Sequence, residues 1–321
     1  MYLKLFTVLL AATTRVYSFP ALPERQDYFT GFIQKLNQQG LTTLGALLTQ
    51  YGTTQQGQQL ASTLSSGNYT VLAPSNGALA PELPVIQNNN GSLAPIISYH
   101  VINGSYPADS IASPRSHTIA PTLLTNDSWV NLGGKPQVQV LEKTPNGNGV
   151  LVRQFVGNAT VANSTTYQNL IIHVVNTALH PPPDLKTALS SSLVRRAPHG
   201  FTQLGSSLQK VGILDQVNDA SSQTVFAPID DAFAAINSTI AGLSNDQLSS
   251  VLKNHVVNNN VIYSTQLGGT PSATASSGAQ LNFTVDNGIG YVSYNQTRAR
   301  ILRSDVAVKN GVVHVIDAVL A

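Results

Sequence analysis

The chain of 321 residues contains no cysteine. Disulfide bridges and thiolate chemistry are excluded, so the fold must rest on apolar cores, which two domains of about 150 residues can supply. Charge is also scarce: Asp, Glu, Lys and Arg make up 10% of the residues, with a formal net charge of +2. A balance this weak lacks the long-range field that draws proteins to nucleic acid or to an anionic membrane. Long apolar runs are missing too. The run from Leu5 to Ala12 is too short to span a bilayer, and no later stretch approaches that length. A G-x-S-x-G elbow, a P-loop and a dinucleotide glycine pattern are all absent. The end of the chain lacks the small-residue site, polar spacer and hydrophobic tail of a lipid-anchor signal.

What is present begins with "MYLKLFTVLLAATTRVYS", residues 1–18, the pattern of a secretory signal peptide. Lys4 supplies the positive start, Leu5 to Ala12 the apolar core, and Val16 and Ser18 the small residues before a cut. Its removal takes Lys4 and Arg15 away and leaves 15 basic against 15 acidic residues. N-x-Ser/Thr sequons occur at Asn68, Asn90, Asn103, Asn126, Asn158, Asn163, Asn237, Asn282 and Asn295. Together with the signal they predict an N-glycosylated protein of the secretory route, its glycans supplying the solubility that charge does not. Arg15 leaves a second destination open: a retained signal would give a vacuolar or other endomembrane luminal glycoprotein.

The chain repeats itself. "YTVLAPSNGAL" (69–79) answers "QTVFAPIDDAF" (223–233), "ISYHVING" (97–104) answers "LKNHVVNN" (252–259), and "NLIIHVVNTAL" (169–179) answers "NGVVHVIDAVL" (310–320), in the same order. The first copy holds extra residues between its last two motifs, expected around "EKTPNGNG" and "GNATVANSTTYQ". Tyr28, Phe29, Phe32, Ile33 and Leu36 form a helical stripe, and Phe201, Leu204, Leu208, Val211 and Leu214 form another. Asn76 and Asp230, two residues past Pro74 and Pro228, are expected to cap helices. Later segments such as "PQVQVLEK", "GIGYVSYN" and "ARILRSDVAV" alternate like strands. Helices first and strands later predict an α+β fold. The organisation read from this is a signal (1–18), a first domain (19–180), a Pro-containing connector with a candidate first helix carrying Leu185, Leu189 and Leu193 (181–200), and a second domain (201–321).

"TVFAPIDDAFAAI", "NHVV" and "NGVVHVIDAVL" in this order and spacing resemble the fasciclin (FAS1) domain, and "TVLAPSNGAL", "YHVING" and "LIIHVVNTAL" resemble a second, more diverged copy. The likeness covers nearly all of the chain after the signal. It implies two tandem domains, each a β-sandwich wedge flanked by short helices. It also implies a non-enzymatic role in adhesion or matrix association, with cell-surface or matrix proteins or glycans as partners and no cofactor. A Tyr-His pair associated with integrin binding in some animal members is matched by Tyr99–His100 in the first copy. The second copy has Asn254–His255 there. The first copy also departs at Leu170, where the usual pattern has glycine, and at Asn176, where it has aspartate.

The remaining candidates are few. His173 and His314 lie in strands with apolar neighbours on both faces. A neutral imidazole there must find hydrogen bonds, so a structural role is expected for both, as for His255, Pro74 and Pro228. No His-x-His or acidic ligand set accompanies them, so no metal is expected. Asp230 and Asp231 are adjacent and point apart, and the first copy has Asn76 and Gly77 there. A carbohydrate-active hydrolase, the enzyme alternative, therefore lacks a duplicated carboxylate pair. Asn103 lies three residues beyond His100, so its glycan would cover an exposed Tyr-His surface. The dibasic pair Arg195–Arg196 is a candidate processing site.

Overall fold

The computed structural model describes residues 22–88 and 93–321; the signal segment (1–18) and the sequon at Asn90 lie outside them. In the first unit, helices α1 (Leu22–Gln38), α2 (Thr42–Tyr51) and α3 (Gln55–Ser66) lead into strand β1 (Tyr69–Pro74). Short helices α4 (Asn76–Leu79), α5 (Leu83–Asn88) and α6 (Leu93–His100) follow. Then come β2 (Val101–Asn103), β3 (Thr118–Pro121), β4 (Val138–Lys143), β5 (Val150–Arg153), β6 (Asn158–Tyr167) and β7 (Leu170–Val175). The second unit repeats the plan. It runs α7 (Leu185–Leu189), α8 (Thr202–Lys210), α9 (Leu214–Asp219), β8 (Gln223–Pro228), α10 (Asp230–Ala235), α11 (Asn237–Ala241), α12 (Asn245–Lys253) and β9 (Val256–Val257). It closes with α13 (Ser264–Leu267), β10 (Ser272–Thr274), β11 (Gln280–Asp286), β12 (Ile289–Tyr294), β13 (Thr297–Val308) and β14 (Gly311–Ile316).

Each unit carries one seven-stranded sheet. The orders, β2-β1-β7-β6-β5-β4-β3 and β9-β8-β14-β13-β12-β11-β10, match strand for strand. The β1–β7 and β8–β14 pairs are parallel, which brings the "TV-x-AP" motif beside the closing apolar run in both copies. Register slips at Val161/Asn163 in β6, and twice between Ile301 and Val306 in β13, bend the ladder. An Ile102–Thr122 bridge nearly closes the first sheet. The α+β expectation holds, and the wedge has a simple origin: its two layers are halves of one bent sheet.

Two cores per unit follow from this. On the helix side of the first sheet Phe32, Leu36, Leu64, Val71 and Ile172 pack together, and inside the bend Leu72, Ile102, Leu141, Val152 and Leu179 do. The second unit repeats the arrangement with Phe201, Leu204, Leu252, Val313 and Val315 on one side and Phe226, Leu281, Val292 and Ile316 on the other. The β7 and β14 strands lie between two cores, which is why their sequences are apolar on both faces. Burying each such side chain contributes roughly 1.5–3 kcal/mol, so a cysteine-free chain of this size can be stable.

Three local expectations change. The extra length of the first copy lies mainly in residues 122–137, between β3 and β4, where the second has only 275–279. The "EKTPNGNG" turn takes a smaller share, and "GNATVANSTTYQ" is mostly β6. The longer segment docks on the other unit: the Asn131 N–H donates to Lys309 O (2.7 Å) and Gln137 Nε2 to Val308 O (3.1 Å). Asn76 and Asp230 do not cap their own helices; Ser75 caps α4. Their carboxyl or amide oxygens accept from the Thr43 N–H (3.0 Å) and the Gln203 N–H (2.9 Å), so each caps the earlier α2 or α8. The helix expected through Leu193 stops at Leu189, while Leu185, Leu189 and Leu193 all remain in the second unit's core.

Candidate functional site

The four motif histidines are placed in two equivalent pairs. In His100 the ring Nδ1 meets Ile96 O (2.8 Å) and Nε2 accepts from the Leu179 N–H (3.0 Å). His255 repeats this with Val251 O (2.8 Å) and the Leu320 N–H (2.9 Å). A carbonyl on Nδ1 requires the proton there, so both rings are neutral, and burial pushes both pKa values down to about 4. His173 and His314 use Nε2 to donate to Tyr106 O and Ile262 O, both at 2.8 Å, tying the last strand to the loop after β2 or β9. Burial lowers both pKa values. Tyr99 is only 3% exposed and His100 only 7%, so neither offers a surface to a partner or to a masking glycan on the exposed Asn103. Pro74 and Pro228 end β1 and β8, opposite Val175 and Ile316.

Above each last-strand histidine the copies diverge. The partner of His173 Nδ1 is the Ser164 hydroxyl at 2.7 Å. Nine residues before His314 stands Asp305, at a φ of 57° in the irregular stretch of β13. That left-handed backbone, which Asp tolerates better than most residues, brings the Asp305 N–H towards His314 Nδ1 (3.4 Å) and frees the carboxylate. Asp305 Oδ1 accepts from the Ser264 N–H (2.7 Å), and Oδ2 accepts from the Ser264 hydroxyl and from His117 Nδ1 (2.5 Å) of the first unit. His117 Nε2 faces Glu142 Oε2 (3.3 Å), whose other oxygen takes Arg153 (3.2 Å). Burial opposes charge on His117, but the hydrogen bonds and charges of Asp305 and Glu142 outweigh it and raise the pKa to about 9. Burial likewise works against ionised Asp305 and Glu142, and the His117 bonds prevail and hold both below the usual carboxylate range.

The result is a five-residue chain, Ser264–Asp305–His117–Glu142–Arg153, crossing between the units. It has the residue types of a hydrolytic triad without its order. The Ser264 hydroxyl faces a carboxylate, and a protonated imidazole held by two carboxylates has no lone pair to act as base. Arg303 adds a second crossing, donating to Leu193 O (2.8 Å), Gln154 O (2.7 Å) and Phe155 O (3.0 Å). Over both lies a cleft of about 620 Å³ with walls from the two units. Among the described residues no group of three or more His, Asp or Glu is arranged to hold a metal ion.

Sequence reasoning missed every member of this chain. Overlaying the two copies would have shown Asp305 against Ser164, but the first-unit partners lie outside the repeated motifs. The described sequons, Asn68, Asn103, Asn126, Asn158, Asn163, Asn237, Asn282 and Asn295, are all exposed. Arg195 and Arg196 are exposed in a turn between the buried Leu193 and Ala197, and Arg196 approaches Asp231 at 3.4 Å.

A family model described as the fasciclin domain matches residues 39–181 and 199–321. The fasciclin-like arabinogalactan protein elcF of Phaeosphaeria nodorum is 28% identical over 333 residues, covering 99% of this chain and 93% of that protein. A fasciclin-like arabinogalactan protein of Arthroderma benhamiae is 26% identical over 234 residues, covering 73% of this chain and 52%, about half, of that relative. Among solved structures, a FAS1 domain pair from the insect cell adhesion molecule fasciclin I aligns with 92% of this chain and 98% of its own, at 16% identity and a TM-score of 0.38.

Proposed function

The chain belongs to the fasciclin domain family, and from that premise we propose that it is a secreted, N-glycosylated adhesion or surface-interaction protein that performs no catalysis. One observation carries the reading: two fasciclin units are latched into a single body by Asp305–His117 and Arg303, while the eight described sequons point to solvent. A latched pair presents both outer surfaces at a fixed spacing, which suits bivalent contact with a cell surface or matrix. The buried Tyr99–His100 pair is not the contact in this reading. The two units stay one covalent chain, because the Arg195–Arg196 turn is pinned at both ends and lacks the extended backbone that processing proteases need. No described helix is long and apolar enough to cross a membrane.

The test follows a C-terminally tagged chain expressed in eukaryotic cells. The expected product is extracellular or surface-bound, shifts with N-glycosidase, begins near residue 19 and runs as one band unchanged in Arg196→Ala. The purified glycoprotein should bind cells or matrix saturably. Retention in an internal lumen with an uncut N-terminus would favour the endomembrane tethering alternative. A cytosolic, unglycosylated product would refute both.

A further inference from the structure

The interdomain cleft is chemically unlike the rest of the chain. Of the 17 Lys and Arg residues, five line it: Arg115, Lys143, Arg153, Arg300 and Arg303. The lining holds one carboxylate, Glu142, and a second, Asp305, lies beneath it, already engaged by His117. Arg153 is paired with Glu142. Among the described residues no carboxylate lies within ion-pair distance of Arg115, Lys143, Arg300 or Arg303. Arg303 is the telling one, since its guanidinium is satisfied by three carbonyls, which leave its charge uncancelled. Its pKa is pushed down to about 10 by burial and by Arg153 beside it, as expected where positive potential is unrelieved. A chain with a net charge of only +2 has thus concentrated cations in one concavity, where the low-dielectric walls strengthen their field.

The second unit also gives the cleft an apolar lining. Leu267, Val285, Ile289, Ile301 and Leu302 line the same space, and Val285 is 47% exposed, one of few large apolar side chains left to solvent among the described residues. A simple inorganic anion would use only the cations. An apolar ligand would leave them uncompensated. A volume near 620 Å³ is that of a site for a small organic molecule.

We propose that this cleft binds one amphiphilic organic anion per chain, its carboxylate, sulfonate or phosphate head on Arg115, Lys143 and Arg300 and its apolar or aromatic body against Val285 and Ile289. The site needs both units, because Arg115 and Lys143 come from the first and Arg300, Val285 and Ile289 from the second. Binding would therefore also strengthen the union of the two units, by mass action on the paired state alone.

The purified full chain can be titrated with 8-anilinonaphthalene-1-sulfonate by calorimetry and fluorescence. Saturable one-to-one binding is expected, and it should weaken as salt rises. The double variant Lys143→Ala/Arg300→Ala removes two charge-assisted contacts and should weaken it about tenfold or more. The charge-conserving Lys143→Arg/Arg300→Lys should retain it. Should the alanine variant fold poorly, Val285→Asp, at an exposed position, provides the second reading and should weaken binding through the apolar wall. Uncharged N-phenyl-1-naphthylamine should bind at least about tenfold more weakly. Inorganic sulfate should compete only at much higher concentration. Non-saturable binding, binding unchanged in either the alanine or the Val285→Asp variant, equal affinity for the neutral probe, or sulfate binding as tight as the aromatic sulfonate would each overturn the proposal. These outcomes are independent of where the protein is found, so they leave the adhesion reading untouched.

Discussion

Two positions that correspond in the duplicated fold, Ser164 and Asp305, have been put to different uses. Each lies nine residues before the last-strand histidine, on the strand that pairs with it. In the first unit the Ser164 hydroxyl completes His173 and the matter ends within that unit. In the second, the backbone N–H takes over that role and the carboxylate reaches His117 across the interface. The histidine scaffold is common to both copies, so it belongs to the fold. The latch exists once, so it belongs to this pairing of units. One substitution in a repeat, with a left-handed backbone to aim it, is enough to turn an internal hydrogen bond into an interdomain one.

The sharpest way to break the comparison is to give the second unit the first unit's chemistry. Asp305→Ser keeps a small polar side chain but strips His117 of its main partner and leaves the Ser264 N–H unsatisfied. Removing one member of a buried charged pair costs about 3–5 kcal/mol. Scanning calorimetry should show the wild type melting in one transition and the variant in two, the two units having lost their coupling. A single transition with an unchanged midpoint would mean that the latch adds nothing beyond the Arg303 and Asn131 contacts.

Acidity offers a second handle, somewhat smaller. The folded-state pKa of His117, about 9, lies above its ordinary value of about 6.5. Its stabilisation is therefore fully present below pH 6.5 and is lost as pH rises through 9. The two pKa values bound this contribution at about 3 kcal/mol. His100 and His255 work the other way. Their folded values near 4 mean that the unfolded chain takes up protons first, so stability falls as pH drops from 6.5 towards 4. The melting temperature should peak near pH 6.5, and His117→Gln should flatten the alkaline limb while leaving the acid limb intact. An alkaline limb of undiminished slope in that variant would remove His117 from the latch.

These features differ in how far sequence alone could reach them. The repeat, the helical stripes and the doubly apolar strands were legible, because burial on one or both faces leaves a periodicity that local sequence carries. His173 and His314 could be picked out for the same reason, as polar residues in otherwise apolar strands. Asn76 and Asp230 were recognisable as caps, but which helix they cap depends on how α4 and α10 pack against α2 and α8. The cleft was out of reach. Arg115, His117, Glu142 and Arg153 belong to loops and strand ends of the first copy with no counterpart motif, and they acquire meaning only against Asp305 and Arg300. Turn formers in "EKTPNGNG" point to that stretch for the added length, whereas most of it lies between β3 and β4. Residues 122–137 include an ordered segment held by contacts to the second unit.

The mildest test runs in the reverse direction, with Ser164→Asp in the first unit. Ser164 is exposed, its φ is not among the left-handed ones, and its hydrogen bonds go to Asn163 and His173 of its own unit, so a carboxylate there is not aimed to build a latch. It can only change the local chemistry of His173. The Nε2 proton is committed to Tyr106 O, so Nδ1 is an acceptor that currently takes the Ser164 hydroxyl proton. An ionised Asp has no proton to give, and two acceptors would then face each other. At pH 7 this should cost about 1 kcal/mol. Lowering the pH protonates Nδ1, which converts the clash into a charge-assisted hydrogen bond. The pKa of His173, lowered by burial in the wild type, should move up in the variant, and the loss of stability below pH 6.5 should shrink accordingly. Comparing melting temperatures at pH 7 and pH 5, with the His173 ring followed by NMR titration, reads both effects. An unchanged pH slope together with an unmoved His173 titration would show that the Ser164 hydroxyl does not govern the ring. The divergence between the two copies would then begin elsewhere than at this pair of positions.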